Sequence, residues 1–300
     1  MIWIRHVAHA HVMRASEFIY SVLFKPRPLR AAANWLLLAS LPEKVTRHGA
    51  TVVLNPEDPV ISGALSLGLY ERAETRFFLS ACSPGMTFLD IGANCGYYTA
   101  LFLSRAGPDS RIAALEPDPQ CFELLKRTVA ANNGRNVSCL RVAASDTCGT
   151  TRLYRNLDNR GDNRLYPNEL AASSCEVETN TIDCLLEQLG VNALDLIKMD
   201  VQGFEGRVLS GMRKTLRRAS GLTLMTEFWP SGLRQAGTDP ASVLTSLAEI
   251  GFQLFLLTSD GGLQALGQYS RFIESLPGRR YANLVAIKGS YSCHGAEEHA

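Results

Sequence analysis

No histidine stands between His48 and His294 in this 300-residue chain; the six occupy its two ends, as His6, His9, His11, His48, His294 and His299. A Ser-His-Asp or Cys-His mechanism in the main body is thereby excluded unless a terminal histidine folds back. A histidine-built zinc site is disfavoured on the same ground. The eight cysteines form no C-x-x-C pair and have no finger spacing to a histidine. Cys121, Cys139 and Cys184 lie inside apolar runs, where a thiol packs as a small core residue. The expected setting is reducing and cytoplasmic, without a disulfide framework. Long apolar runs are also missing. Residues 31–41 are interrupted by Asn34 and fall short of the roughly 20 apolar residues of a membrane span. His6, His9, His11, Arg14 and Glu17 break up any signal-peptide core. Neither sign of charge dominates: 30 Lys and Arg against 29 Asp and Glu leave a net charge of +1, which argues against a dedicated nucleic-acid binder.

The near-neutral balance hides an asymmetry. Residues 1–48 carry a net charge of +5 and the remainder −4. A basic lead-in of this kind is either a solvated helical segment or a weak contact for an acidic membrane surface. With 46% apolar and 20% charged residues, the chain has the profile of a soluble globular protein. The organisation expected is a basic helical segment at 1–48, one large domain at 49–290 and a loose tail at 291–300.

From residue 86 onward, short apolar runs alternate with amphipathic stretches. Strands are predicted at 87–91, 111–116, 138–143, 194–200, 222–228, 252–257 and 282–288. Helices are predicted at 96–105, 119–132, 205–216 and 240–250. This alternation predicts an α/β fold, a doubly wound parallel sheet with helices on both faces. The polar, glycine-containing connection 258–281 offers no good helix, so the final strand pair is predicted antiparallel. The insertion 146–188 holds strand-like pieces at 151–154 and 174–182 and a polar loop, in which residues 158–164 are a candidate lid. Residues 50–80 read as a strand, a turn at Pro56–Pro59 and a helix.

Asp90, Gly92, Ala93, Asn94 and Gly96 stand where the first of these strands runs into a helix. Glycines there let a ligand approach the backbone, and the helix start offers free N–H groups. Glu116 ends the next strand, where an acid can accept hydrogen bonds from ribose hydroxyls. The dinucleotide fingerprint G-x-G-x-x-G is broken by Asn94 at its second glycine. Asp90 would also face a phosphate unfavourably. A cofactor with an ammonium group and no phosphate fits better, and S-adenosylmethionine is such a cofactor. Asp146 follows the third strand and can accept from an adenine amino group; Asp118 and Ser145 complete the candidate cofactor contacts. Lys198 and Asp200, two apart at a strand end, share a face on a regular strand. With Glu227 at the end of the next strand, they are candidates to orient a hydroxyl, remove its proton, or share a divalent metal through Asp200 and Glu227. An ordinary carboxylate is a weak base for an alcohol, so a raised pKa or a metal would help.

The runs FLDIGANCGYYT (88–99), ALEPDP (114–119), VAASD (142–146), DLIKMDVQGFE (195–205) and MTEFWP (225–230) resemble the FkbM-type S-adenosylmethionine-dependent methyltransferases, as does the segment 50–80. The resemblance implies a seven-stranded methyltransferase sheet with a reversed last strand. It also implies methyl transfer to a hydroxyl oxygen of a sugar or natural product, hence a small-molecule or glycan acceptor. Asp90, Gly92, Asn94 and Gly96 would hold the methionine part of the cofactor, Glu116 the ribose and Asp146 the adenine. One position departs from the pattern: Gln202 stands where the family commonly has Glu. The rival readings are an NAD-dependent oxidoreductase and a cofactor-binding module without catalysis.

Overall fold

The computed structural model describes residues 40–156 and 159–289. Most of the segment 1–48, all of the tail, and Leu157 with Asp158 of the candidate lid lie outside the described residues. The architecture is a large sheet of eight strands, flanked by helices, with a small three-stranded sheet at one edge.

Five strands of the large sheet are parallel: β3 (Thr87–Ile91), β4 (Arg111–Leu115), β5 (Val137–Leu140), β9 (Leu196–Met199) and β10 (Leu222–Phe228). Next to β10 lies β13 (Ala282–Lys288), antiparallel both to it and to β11 (Gln253–Leu257). These are the seven predicted strands, with the reversed last strand. An eighth, β12 (Leu263–Ala265), forms a hairpin with β11 at the edge. The connection read as lacking a helix also contains a short one, Tyr269–Glu274, with no fully buried residue. Its apolar residues Tyr269, Phe272 and Ile273 pack only partly buried against the core, a weak signal within a polar, glycine-containing stretch.

Strand order fixes where a ligand can bind. The chain enters the sheet at β3, moves outward through β4 to β5, then returns to the other side of β3 as β9. The crevice between β3 and β9 is therefore the topological switch point, at the carboxyl ends of both strands. Both strands read as nearly unbroken apolar runs because both faces of the sheet are covered. Leu89, Ile91, Ile197 and Met199 enter one core; Phe88 and Leu196 enter the other, with Phe78, Tyr98, Met225 and Val285. Asp90 and Lys198 follow Phe88 and Leu196 by two residues, and Glu227 follows Met225 by two. All three therefore belong to this second face.

Several boundaries differ from the sequence reading, each for a local reason. Residues 44–47, expected in a helix, form β1 (Lys44–Arg47). It pairs with β2 (Ala50–Val53) across a turn in which His48 and Gly49 both have positive φ, the geometry of a tight two-residue hairpin. The N–H groups of Thr51 and Val53 donate to Asn132 Oδ1 and Thr128 Oγ1, which docks the hairpin on the helix Pro119–Ala131. The predicted strand 138–143 is two strands. The chain leaves the large sheet after Leu140 and joins the small one as β6 (Ala143–Ala144), beside β8 (Ser173–Asn180), which in turn pairs with β7 (Gly149–Arg155). Ile182 begins a helix (Ile182–Gln188) rather than ending a strand, because Thr181 caps the Cys184 N–H. The predicted helix 205–216 breaks into Glu205–Ser210 and Arg213–Arg218. At the break, Gly211 lets the Ser145 carbonyl come within 2.0 Å of where a Cβ would stand. Among the described residues, no helix is long and apolar enough to cross a membrane.

Candidate active site

The turn after β3 is built on three left-handed residues, Gly92 (φ 82°), Asn94 (φ 50°) and Gly96 (φ 84°). The glycines serve the protein's own packing. A Cβ on Gly92 would lie 2.1 Å from the Asp200 carbonyl oxygen, and one on Gly96 would lie 2.8 Å from Leu125 Cδ1. Asn94 ties the turn to both of its neighbours. Its N–H donates to Glu116 Oε2 at 2.8 Å, and its side-chain amide reaches the Arg160 carbonyl at 3.4 Å. The second Glu116 oxygen accepts from the Asp118 N–H at 2.8 Å. Burial nonetheless pushes the Glu116 carboxyl up to about 8, against the pull of those N–H groups.

Beyond the strand ends opens a cleft of about 920 Å³, counted out into open solvent. Asp90, Gly92, Ala93, Asn94, Glu116, Lys198 and Asp200 line it. Asp90 is buried and accepts from Thr99 Oγ1 at 2.7 Å. Burial raises its carboxyl to about 6, with the Thr99 hydrogen bond opposing. The Lys198 ammonium lies 3.7 Å from Asp200 Oδ2 and 5.0 Å from the Tyr98 ring centre. Burial alone would lower the pKa of Lys198, but the surrounding Asp200, Glu71, Asp90 and Glu227 raise it. Glu227 is pushed well above the ordinary carboxylate range by burial and by Asp200. Glu71, which accepts from the Tyr98 hydroxyl, is raised first by burial, with Lys198 opposing. One lysine thus stands among four carboxylates.

Four of the cofactor candidates lie outside the lining of the cleft: Gly96, Asp118, Ser145 and Asp146. Asp146 is engaged by Arg207 at 2.8 Å and by the Ser145 hydroxyl at 3.1 Å. Asp118 has a structural task instead. Its carboxylate caps the helix Pro119–Ala131 through the Gln120 and Cys121 N–H groups and pairs with Arg155 Nε at 2.5 Å. Asp118→Ala is therefore expected to destabilise the fold by about 3 kcal/mol, from a lost cap and a broken, largely buried ion pair. Denaturant unfolding measures that cost, and cofactor affinity at neutral pH should change no more than a few-fold. Glu227 also stands outside the lining and bears on the cleft through Lys198. Among the described residues, no group of three or more His, Cys, Asp or Glu is arranged to hold a metal ion. A divalent cation shared by Asp200 and Glu227 would compete with Lys198 for the same carboxylates.

Residues 159–166 form a wall of the cleft rather than a solvated loop. Arg160, Asp162 and Arg164 are all buried. Arg164 Nε donates to Asp162 Oδ1 at 2.8 Å, and its guanidinium stacks 4.7 Å from the Trp229 ring. The Tyr166 hydroxyl donates to the Gln202 carbonyl at 2.7 Å. The sequence reading missed Glu71, Tyr98, Tyr166 and Trp229 as parts of this site. Glu71 had one legible signal, an acid in the segment before β3; its left-handed backbone (φ 39°) had none.

The family model described as the methyltransferase FkbM domain matches residues 90–254. Among curated proteins, methyltransferase sdnD of Sordaria araneosa is 27% identical over 182 residues, covering 50% of this chain and 70% of that protein. The 2-O-methyltransferase NoeI of Sinorhizobium fredii is 28% identical over 150 residues, covering 45% of this chain and 60% of that one. Among solved structures, cofactor-bound Rv0187 from MTB aligns with a TM-score of 0.43 at 14% identity, over 91% of this chain and 94% of that one.

Proposed function

Because the chain belongs to the FkbM methyltransferase family, we propose that it moves the methyl group of S-adenosylmethionine to a hydroxyl oxygen of a small-molecule or glycan acceptor. The observation that carries this reading is the charge of the cleft. Glu71, Asp90, Asp200 and Glu227 bear on Lys198 together, and around Asp90 the cleft offers an ammonium and a sulfonium an acidic environment. A diphosphate would meet Asp90 and Glu116 there instead. NoeI, by its name a 2-O-methyltransferase, supports a hydroxyl acceptor.

Bound S-adenosylmethionine supplies an electrophilic methyl group on a sulfonium. The protein's share is positioning and proton removal. Asp90 receives the ammonium of the amino-acid tail, and Glu116 accepts from the ribose hydroxyls. Asp200 accepts the hydrogen bond of the acceptor hydroxyl and takes its proton as the new bond forms. Lys198 holds Asp200 in place by charge, and Glu227 positions Lys198 from the neighbouring strand.

The Glu116 role has a pH signature. In the ligand-free fold its pKa is raised to about 8 by burial. Its stabilising share is therefore full below the unfolded value of about 4.3 and is lost as pH rises through about 8. Ribose hydroxyls donate, so they favour the ionised form and lower this pKa on binding. Affinity for S-adenosylhomocysteine is expected to rise several-fold between about pH 6.5 and 8.5 and then flatten, with proton release on binding. Calorimetry in buffers of different ionisation enthalpy measures both. Binding of NAD in place of the adenosyl sulfur compounds, or a pH-independent affinity unchanged in Glu116→Ala, would count against the reading.

A further inference from the structure

Arg160 carries a buried guanidinium with two of its three nitrogens unsatisfied. Its side chain is 4% exposed, and neither Nε nor Nη1 has a hydrogen-bond partner. Nη2 only reaches Glu57 Oε2, at 3.5 Å, and the Glu57 side chain is 68% exposed. A guanidinium this deep with two nitrogens unsatisfied is costly unless something completes it. Of the nearby acids, Asp162 is already spent on Arg164 and Arg279, and the buried Asp58 interacts with Arg160 by charge without satisfying Nε or Nη1.

The backbone of Arg160 is held from two sides. Its carbonyl accepts from the Asn94 side chain at 3.4 Å, on the turn after β3. On the other side lies the buried Asp58 carboxylate, which accepts from the Val60 and Ile61 N–H groups at 2.9 and 3.1 Å and whose pKa, raised by burial, is pulled back down by the backbone and charge of Arg160. The turn within residues 55–59 and the cofactor turn thus clamp Arg160 in the wall of the cleft that also contains Asp90 and Glu116. A pre-positioned guanidinium beside an otherwise acidic lining is complementary to a zwitterion. Arginine prefers a planar carboxylate, which it can grip through two parallel N–H groups.

We propose that Arg160 binds the α-carboxylate of the cofactor's amino-acid tail, while Asp90 binds the ammonium of the same tail. This assignment rests on the cofactor reading above. It makes the wall 159–166 part of the cofactor site, so that the insertion before β9 selects for an amino-acid tail.

Calorimetric titration of the full chain with S-adenosylmethionine and with its decarboxylated analogue tests the assignment without reference to turnover. The wild-type protein should bind the carboxylate-bearing compound on the order of 10- to 100-fold more tightly. In Arg160→Gln that ratio should collapse to near one. Arg160→Lys keeps the charge and the stem but not the planar fork, and should fall in between; it carries the comparison if Arg160→Gln does not fold. A wild-type ratio near one, or a ratio preserved in both variants, would overturn the assignment. So would tight NAD binding that depends on Arg160, since the guanidinium would then serve a diphosphate. Failure of the wild-type protein to bind any adenosyl compound would instead bring down the cofactor reading, and this assignment with it.

Discussion

Asp200→Asn is expected to lower kcat by about 10²- to 10⁴-fold, the usual worth of a positioned general base, while leaving S-adenosylhomocysteine affinity within a few-fold of wild type. The reason lies in how the side chain is held. Asp200 stands just past the end of β9, partly open to the cleft. Lys198 Nζ lies 3.7 Å from Oδ2, and Gln202 Nε2 donates to Oδ1 at 2.7 Å. Its N–H donates to the Ile91 carbonyl at 2.9 Å, so its main chain is pinned to β3. Asparagine preserves the shape and the anchoring but removes the proton acceptor. Steady-state kinetics with a methyl acceptor, together with calorimetry, separates the two effects. An unchanged kcat would move the proton chemistry elsewhere; a matching loss of cofactor affinity would make Asp200 a binding residue.

The same contact gives Gln202 a physical role. Glutamine donates to Asp200 where a glutamate would present a second acid, and like charges at hydrogen-bond distance cannot both be ionised without cost. The chain therefore orients Asp200 with a neutral donor on one oxygen and a cation on the other. Gln202 itself sits at φ 52°, held by the Tyr166 hydroxyl on its carbonyl. What reads as a departure from the family pattern is an internally consistent arrangement.

The fold was legible wherever burial on both faces of the sheet wrote itself into the residues. TFLDI, LTLMTEF and ANLVAIK read as strands at the residues where they occur, because each is a run of apolar residues bounded by turn formers. Legibility failed where a structural decision depends on distant chain. Nothing within 205–216 says that Ser145 will pass close enough to Gly211 to interrupt the helix. The β1–β2 hairpin depends on Thr128 and Asn132, about 80 positions away, to satisfy its edge.

The site divides in the same way. Asp90, Glu116, Lys198 and Asp200 were legible because they end strands, and the switch-point rule says where strand ends point. Asp118 lies outside the lining because an acid before a proline-led helix also serves as a cap, a use that competes with ligand binding. Arg160 was legible only as part of a candidate lid and Glu71 only as an acid in the segment before β3, since only tertiary packing brings that segment and the insertion before β9 to the same cleft.

Gly92→Ala is expected to be the most damaging single change of its size in the domain, costing about 3 kcal/mol or more and abolishing cofactor binding with it. Two penalties coincide. The residue has φ 82°, where a Cβ is strained whatever the surrounding space. The added carbon would also stand 2.1 Å from the Asp200 oxygen and 3.1 Å from its carbonyl carbon. That oxygen belongs to backbone and has no rotamer through which to retreat. Moving it shifts the residue bonded to Ile91, and Gly92 itself donates to the Leu115 carbonyl at 3.0 Å. The clash is thus shared among β3, β4 and β9, at the point where the cofactor turn and Asp200 meet. Gly96→Ala is the control. Its φ of 84° carries the same conformational strain, but its Cβ would meet only the side chains of Leu125 and Thr128, at 2.8 and 3.2 Å, which can give way. Denaturant unfolding should therefore rank Gly92→Ala below Gly96→Ala in stability by about 2 kcal/mol. Equal costs would mean that left-handed strain alone governs this turn and that the approach of Asp200 to Gly92 contributes nothing.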